Sequence, residues 1–391
     1  MVPNLRFSFE EDWCTSTIGE NFRLSSGLTP STKEKAYFNN GIIPWINSGE
    51  LKNKYISSTE NKLTLDAVKK HNLTIYPMDT MVIAIYGLEA AGVRGKASIT
   101  KMDSTISQSC MAFNSLGNVL TQFMYYVYKK EAQILGTRYA QGTKQQNLSS
   151  DLLSSYKLLY PSKEEQLKIV NFLSLIDEKI ETQIKIIELK QSLIKDIEDK
   201  LLWKSASTYS RHISDFLTEL NDKSKIQNQY PLLSSTKKGL FLQTDYFNKE
   251  AASSNNIGYK IVHEGDIIIS PQNLWMGNIT YNDKFVNGLV SPSYRIYKVK
   301  EEYNAYYISR ILMSYRALSL YKNISEQGAS IVRRNLNVDA FNELCFPIPN
   351  IKKQDEVSLF LSKLHQELNS EIEILRQLKN QKKYLLCNMF I

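Results

Sequence analysis

Apolar residues recur every seven positions in two separate stretches of the chain. In the first, Leu173, Ile180, Ile187, Ile194 and Leu201 keep the period unbroken, with Ile176, Gln183, Lys190 and Ile197 at the intervening seam positions. In the second, Leu361, Leu368, Leu375 and Lys382 repeat it, with Leu364, Glu371, Leu378 and Leu385 between them. A seven-residue apolar period turns one narrow stripe toward a single partner helix, which predicts coiled-coil pairing. The polar residues on the stripe weaken a self-sufficient dimer, so each helix is expected to pair with the other inside the chain. About 40 residues at 1.5 Å each make a rod of roughly 60 Å. Pro161 and Pro349 fit the first turn of each helix, where a missing N–H costs nothing.

The rest of the chain has a different texture. Short apolar runs such as Met81–Tyr86, Ile267–Ile269 and Tyr294–Val299 read as strands, bounded by Gly, Asn, Asp and Pro. Leu120–Ile134 and Tyr303–Tyr321 are helix candidates. The pairs Tyr125-Tyr126 and Tyr306-Tyr307 sit in them at core spacing with Phe, Leu and Ile, so they are expected to pack rather than stack on a ligand. Mixed α+β domains of about 150 residues follow.

These segments are related by duplication. Pro161 to Gln166 and Pro349 to Gln354 are each a proline, four residues and a glutamine, at an offset of 188. At the same offset Phe172-Leu173-Ser174 matches Phe360-Leu361-Ser362, and Ile184 and Ile186 match Ile372 and Ile374. Upstream, Gln141-Gly142-Thr143 and Asn147-Leu148 echo Gln327-Gly328-Ala329 and Asn335-Leu336. Asp79 to Ile83 resembles Gly265 to Ile269. The boundaries that result are a mixed domain at 1–160, a helix at 161–204, a second mixed domain at 205–345 and a second helix at 346–391. The fold class is α+β: two similar mixed domains separated by two long antiparallel coiled-coil helices, with a pseudo-twofold.

Charge adds a bias toward a polyanion. Lys plus Arg is 48 against 40 Asp plus Glu, a formal +8. The two mixed domains carry +4 and +3, the first helix −1 and the last segment +2. Cys14, Cys110, Cys345 and Cys387 form no C-x-x-C pair and have no neighbouring His, which argues against a zinc cage or disulfide framework. The run Met81–Tyr86 falls far short of a membrane span, and the N-terminus lacks the apolar core of a signal peptide. A cytoplasmic protein with no membrane association is expected.

The chemistry of an enzyme is missing. The glycines between Gly87 and Lys96 do not have phosphate-loop spacing, and no G-x-G-x-x-G follows a strand. There is no Pro-Pro pair, hence no Asn-Pro-Pro-aromatic tetrad of the kind that holds a flipped base in amino-methyltransferases. His71, His212, His263 and His365 are isolated from one another. Asp177-Glu178-Lys179 and Glu198-Asp199-Lys200 have the composition of nuclease triplets but fall on the heptad helix, where solvated faces produce them by chance. No catalytic residue and no metal ligand is predicted.

Two similar basic domains on a rigid helix pair suit twofold-related half-sites of a DNA duplex with a fixed separation, and divergent copies would read two different sequences. Here the chain resembles the specificity (S) subunits of type I restriction-modification systems along essentially its whole length. The resemblance rests on Asn4 to Phe7 with Trp13 and Ile18-Gly19, an opening strand in that family. It rests also on Ile43 to Ile46 followed by Ser48 to Leu51, a characteristic loop. Gln141 to Ser149 with Tyr160-Pro161 and Glu165-Gln166 resembles the motif that ends each target recognition domain. Pro231 to Leu240 is similar to a common variant of that domain. The second copy departs at Gly328-Ala329, and at Lys353 where the first has Glu165.

The resemblance implies a non-catalytic subunit, acting in phage defence, whose two target recognition domains each read one half of a bipartite double-stranded DNA site. The helices would set the spacer and dock two methyltransferase (M) subunits, with motor-nuclease (R) subunits joining through the complex. S-adenosylmethionine, ATP and magnesium would belong to those partners, and this chain would carry no cofactor. Because Arg and Lys reach phosphates or guanine while Asn and Gln suit adenine, the DNA-binding candidates are Arg94, Lys96, Arg138, Lys144 and Gln145 in the first domain. In the second they are Lys237, Lys238, Gln272, Asn273, Arg333 and Arg334. Two rivals remain at this point: a coiled-coil protein-interaction adaptor without DNA readout, and the specificity part of an autonomous methyltransferase-nuclease.

Overall fold

The computed structural model describes residues 2–140, 146–204, 209–237, 239–246, 255–327 and 334–391. The chain divides into two compact units. The first is residues 1–183 with 374–391, and the second is residues 184–373.

The first unit is built on a five-stranded sheet. Its order is Phe22–Ser26, Cys110–Ser115, Met81–Ala84, Ala97–Thr100 and Tyr55–Ile56, antiparallel except for the last, parallel pair. Met81–Ala84 is an unbroken apolar run because it is covered on both faces, and all four residues are buried. The expected strand continued to Tyr86, but the chain leaves the sheet after Ala84 as it enters the loop around Gly87, whose φ is +76°. The helix Thr121–Ile134 covers one face, where Phe22, Phe113, Phe123 and Tyr126 meet in the core. Each such ring contributes about 1.5–3 kcal/mol by burial.

The second unit repeats this plan. Its sheet runs Leu217–Leu220, Arg295–Val299, Ile267–Ile269 and Ile279–Tyr281, all antiparallel. These strands correspond in order to the first four of the other unit. Each unit also has an outer two-stranded ribbon, Cys14–Thr17 with Lys157–Tyr160 and Tyr209–His212 with Cys345–Ile348. A short helix capped by its own box follows the first strand of each ribbon, at Ile18–Asn21 and Ile213–Phe216. The duplication read from the sequence therefore extends to the sheet order.

The long helices are Lys163–Asp199 and Ile351–Met389. Neither proline lies in the first helical turn, where the sequence places both. Pro161 and Pro349 sit two residues before it, and Ser162 and Asn350 do the capping. Gln166 N–H and Gln354 N–H donate to their carbonyls at 2.9 and 3.1 Å. The proline–glutamine spacing has a different cause: the glutamine folds back, and Gln166 Nε2 and Gln354 Nε2 donate to the carbonyls of Pro161 and Pro349 at 2.9 and 2.8 Å. Their Oε1 atoms accept from Leu120 N and Asn304 N at the starts of the domain helices, at 2.8 and 2.9 Å.

In the first unit Leu173 and Ile176 share a core with Leu385, Met389 and Phe390. Asp177 pairs with Lys382 and accepts from Tyr126 Oη at 2.6 Å, and the buried Lys54 donates to Tyr126 Oη at 2.8 Å and to Ser174 Oγ at 2.7 Å. Burial pushes the Lys54 amine below its ordinary value, with Asp177 opposing. In the second unit the helices run antiparallel, since Lys190 reaches Glu371 at 2.8 Å while Glu198 faces His365 at 3.6 Å. Every seam residue named above is buried or half-buried: Leu173, Ile176, Ile180, Ile187, Ile194, Ile197, Leu201, Leu361, Leu364, Leu368, Leu375, Leu378 and Leu385. The nuclease-like triplets are used structurally, Asp177 as above, Glu198 with Arg310 at 2.6 Å and Asp199 with Arg316 at 2.5 Å.

Three local expectations are corrected. The helix expected over Tyr303–Tyr321 is two helices, Ala305–Met313 and Tyr315–Asn323, broken at Ser314. The Ser314 hydroxyl caps the second helix at Ala317 N and accepts from Trp203 Nε1 at 2.9 Å, a tie an unbroken helix would lose. Ile43–Ile46 is a strand rather than a loop, paired to Lys62–Leu63 and Thr105–Ile106. The opening strand is Cys14–Thr17, between Trp13 and Ile18, and Asn4–Phe7 is not part of it. That segment is pinned by Leu5 N–H to Asn388 O at 2.8 Å and by a bidentate Arg6–Glu165 pair at 2.8 Å. Tyr125, Tyr126 and Tyr307 are core residues as expected.

Candidate nucleic-acid interface

In both units one loop joins the same two sheet strands. Residues 85–96 connect Met81–Ala84 to Ala97–Thr100, and residues 270–278 connect Ile267–Ile269 to Ile279–Tyr281. Most of the described DNA-binding candidates lie in or beside these loops.

The first loop is braced from inside. Arg94 Nε donates to Leu88 O at 2.7 Å and its terminal nitrogen to Glu89 O at 3.2 Å. The stem of Arg94 lies against Gly136, where an added Cβ would stand 2.8 Å from Arg94 Cγ. Gly87 and Gly95 both have φ +76°, a region that side chains disfavour, and they bound the turn. From beneath, Lys129 of the helix donates to Gly95 O at 2.5 Å. Its amine is pushed down to about 8, first by burial and then by Lys382. The segment after the Gln-Gly motif lies alongside, with Leu88 N–H donating to Gln146 O at 3.1 Å and Leu148 N–H to Ile85 O at 3.0 Å. Gln146 N–H donates to Glu89 Oε2 at 2.9 Å, which holds that carboxylate below its usual range. Lys96 is half-buried and Arg138 is exposed on the turn Leu135–Tyr139. Lys144 and Gln145 lie outside the described residues.

The second loop is braced by a strand. Arg334 N–H donates to Gln272 O at 3.2 Å. The Arg334 guanidinium donates to Ser325 O at 2.6 Å and lies 5.7 Å over the Trp275 ring. Asn273 O accepts from Met276 N and Asn278 N, and Gly277 at φ +89° closes the turn. The hairpin Leu233–Thr236 with Gly239–Leu242 is joined to it through Ser235 Oγ, which donates to Asn278 Oδ1 at 3.1 Å. Lys237 is exposed at the turn of that hairpin and Gln272 is exposed on the loop. Lys238 and Arg333 lie outside the described residues.

The structure thus brings Gln272, Asn273 and Arg334 together around Trp275, and Arg94 beside the turn that carries Arg138. It places the side chains of Gln272, Lys237 and Arg138 in solvent, where an amide suits adenine and a cation a phosphate or guanine. Arg94 and Arg334 each turn Nε and one terminal nitrogen to backbone carbonyls. Sequence reasoning missed Trp275, Asn278, Ser235 and Lys129. Trp275, three residues after Gln272 in a turn-rich stretch, was detectable; Lys129 reads as an ordinary helix-surface charge. Among the described residues no group of three or more His, Cys, Asp or Glu is placed to hold a metal, and no helix is long and apolar enough to cross a membrane. The four cysteines are free, Cys110 buried and the others exposed.

Comparison with known proteins gives concordant matches. Residues 10–191 match the family described as type I restriction modification DNA specificity domain. The type I restriction enzyme MjaIX specificity subunit of Methanocaldococcus jannaschii is 30% identical over 194 residues, which is 48% of this chain and 43% of that protein. The EcoR124I/EcoR124II specificity subunit of Escherichia coli is 27% identical over 169 residues, 43% of this chain and 41% of that protein. The matched stretches thus span less than half of either relative. In fold, the type I restriction-modification system S subunit from M. genitalium aligns over 100% of this chain and 99% of its own, with a TM-score of 0.58 at 16% identity. Residues 10–191 are therefore similar to the type I restriction modification DNA specificity domain family, and the whole chain shares the fold of a solved type I S subunit.

Proposed function

We propose that this chain is the DNA sequence-specificity subunit of a type I restriction-modification complex. Each unit reads one half of a bipartite duplex target through the loop that joins equivalent strands of its sheet, together with the neighbouring hairpin or turn. The long helices set the unread gap and dock two methyltransferase subunits, and motor-nuclease subunits join through the complex. Methyl transfer, ATP hydrolysis and cleavage belong to those partners, which bring S-adenosylmethionine, ATP and magnesium; this chain positions the DNA. The complex works in the cytoplasm, where cellular DNA lies. The observation that carries the reading is the repeated sheet order with its equivalent loops, in a chain whose first half matches a DNA specificity domain.

The test is methylome sequencing of cells carrying the system with one or two helical turns inserted within residues 185–195. The half-sites should stay unchanged while the gap between them lengthens. Altered half-sites at a constant gap would refute the spacer role, and absence of any methylated motif with the unaltered chain would refute the reading as a whole.

A further inference from the structure

Glu89 to Gly92, at the tip of the first loop, are exposed, and three of the four are the smallest residue types: Ala90, Ala91 and Gly92. The N–H groups of Ala91 and Gly92 have no partner among the described residues, whereas Ala90 N and Val93 N close turns on Gly87 O and Ala90 O. A Cβ added at Gly92 would meet nothing within 4 Å. The tip is therefore a bare stretch of main chain whose two free donors meet no acceptor among the described residues. The scaffold beneath it is heavily braced: Arg94 ties the loop across itself, Lys129 holds Gly95 O, and Glu89 is held by Gln146 N–H. A loop this bare and this firmly held suits close approach to a surface that accepts hydrogen bonds, and the DNA backbone is such a surface.

We infer that Ala90–Gly92 meets the DNA of the first half-site through its main chain, and that Arg94 is a positioning residue for this tip rather than a DNA contact. The inference rests on the DNA-reading function proposed above and sharpens it. In the equivalent loop of the second unit the exposed position is taken by the Gln272 side chain, so the two units present different chemistry from the same place in the sheet.

The experiment uses the complete chain in complex with its methyltransferase subunits and a duplex carrying the motif that the unaltered system methylates. Gly92→Leu should leave the unfolding temperature unchanged, since the site is open, and should lower methylation of the motif at least about tenfold. Arg94→Met keeps the stem against Gly136 and removes the donors. It should relax sequence preference at the first half-site alone, with the log–log salt slope of DNA binding within about 0.3 of wild type. Arg138→Ala, an exposed cation, should lower that slope by about 0.9 if it meets one phosphate. Lys129→Met, which loosens the same loop from beneath, should match Arg94→Met and guards against a folding defect peculiar to Arg94. Wild-type methylation by Gly92→Leu, or a slope lowered by about 0.9 in Arg94→Met, overturns the inference alone. If the unaltered complex methylates no motif, the proposed function falls and the inference falls with it.

Discussion

Replacing Gln166 by Leu should loosen the first unit and leave the second intact. Gln166 is fully buried and makes three hydrogen bonds, accepting from Leu120 N and donating to Pro161 O and Asn118 O. Leucine has a similar volume, so no cavity term arises, and the loss is one of polar satisfaction. The Leu120 N–H, at the start of a helix with no side-chain cap, is left without a partner, which costs about 1–3 kcal/mol. Two carbonyls lose a donor as well, bringing the total to roughly 3 kcal/mol. Since 1.4 kcal/mol is a factor of ten, amide exchange through sub-global opening of the first unit should accelerate roughly 100-fold. Hydrogen exchange read by mass spectrometry on peptides from Thr121–Ile134 and from Ala305–Met313 would resolve this. Gln354→Leu should reverse the pattern, with a smaller effect because Gln354 makes two such bonds. Equal acceleration in both sets of peptides from either variant, or none from both, would refute the view that each glutamine closes its own unit.

Three further outcomes follow from the structure. Lys237→Ala should lower the salt slope of DNA binding by about 0.9 if this exposed lysine meets one phosphate, and an unchanged slope would remove it from the interface. Lys129 has a folded pKa of about 8 against 10.5 ordinarily, because burial and Lys382 disfavour its charge, Asp177 opposes them, and the Tyr125 ring that faces it stays neutral. The unfolded chain thus binds more protons between these values, so this group adds stability as pH rises from about 8 to 10.5; unfolding temperatures measured across that range should lose the increment in Lys129→Met. Changing Glu371 to Leu should alter the unfolding temperature of the second unit little, since Lys190 is 33% exposed, such a pair is worth about 0–1 kcal/mol and Glu367 stays 3.6 Å from the lysine; a drop of several degrees would refute this.

Much of this architecture was legible because helices and repeats leave periodic marks. Leu173, Ile180, Ile187 and Ile194 state their period outright, and all four are buried or half-buried. The proline–glutamine pair was visible as a repeat, but its meaning was not. A glutamine that bonds the carbonyl of a proline five residues back is a tertiary event, invisible in a local pattern that also suits a proline in a helical first turn. The break at Ser314 was hidden for a related reason: the apolar spacing of Tyr307, Ile311 and Leu318 continues across it, while the hydrogen bond from Trp203 that makes the break worthwhile comes from more than a hundred residues away. The division into units escaped as well, because Leu385, Met389 and Phe390 complete a core begun by Trp13 and Phe22.

The sequence offers candidate DNA contacts by residue type, but not how the fold uses each side chain. Charge and amide content pointed to the stretches around Arg94, Gln272 and Arg334, and the structure finds Arg94 and Gln272 in loops joining equivalent strands and Arg334 on a strand beside the second loop. Residue type does not say whether a guanidinium reaches solvent or folds back on a carbonyl, and Arg94 and Arg334 do the latter. This reverses the usual weighting of charge in reading such a sequence. In a braced loop the arginine belongs to the support, and what faces outward is whatever the support leaves uncovered: main chain at Ala90–Gly92, an amide at Gln272. The repeated framework, with its sheets, glutamine clamps and helix starts, is held in common by both units, while the loop tips share neither length nor chemistry. Under the proposed function, different half-site sequences would arise by changing a few tip residues on a shared support, without disturbing the helices proposed to set the gap.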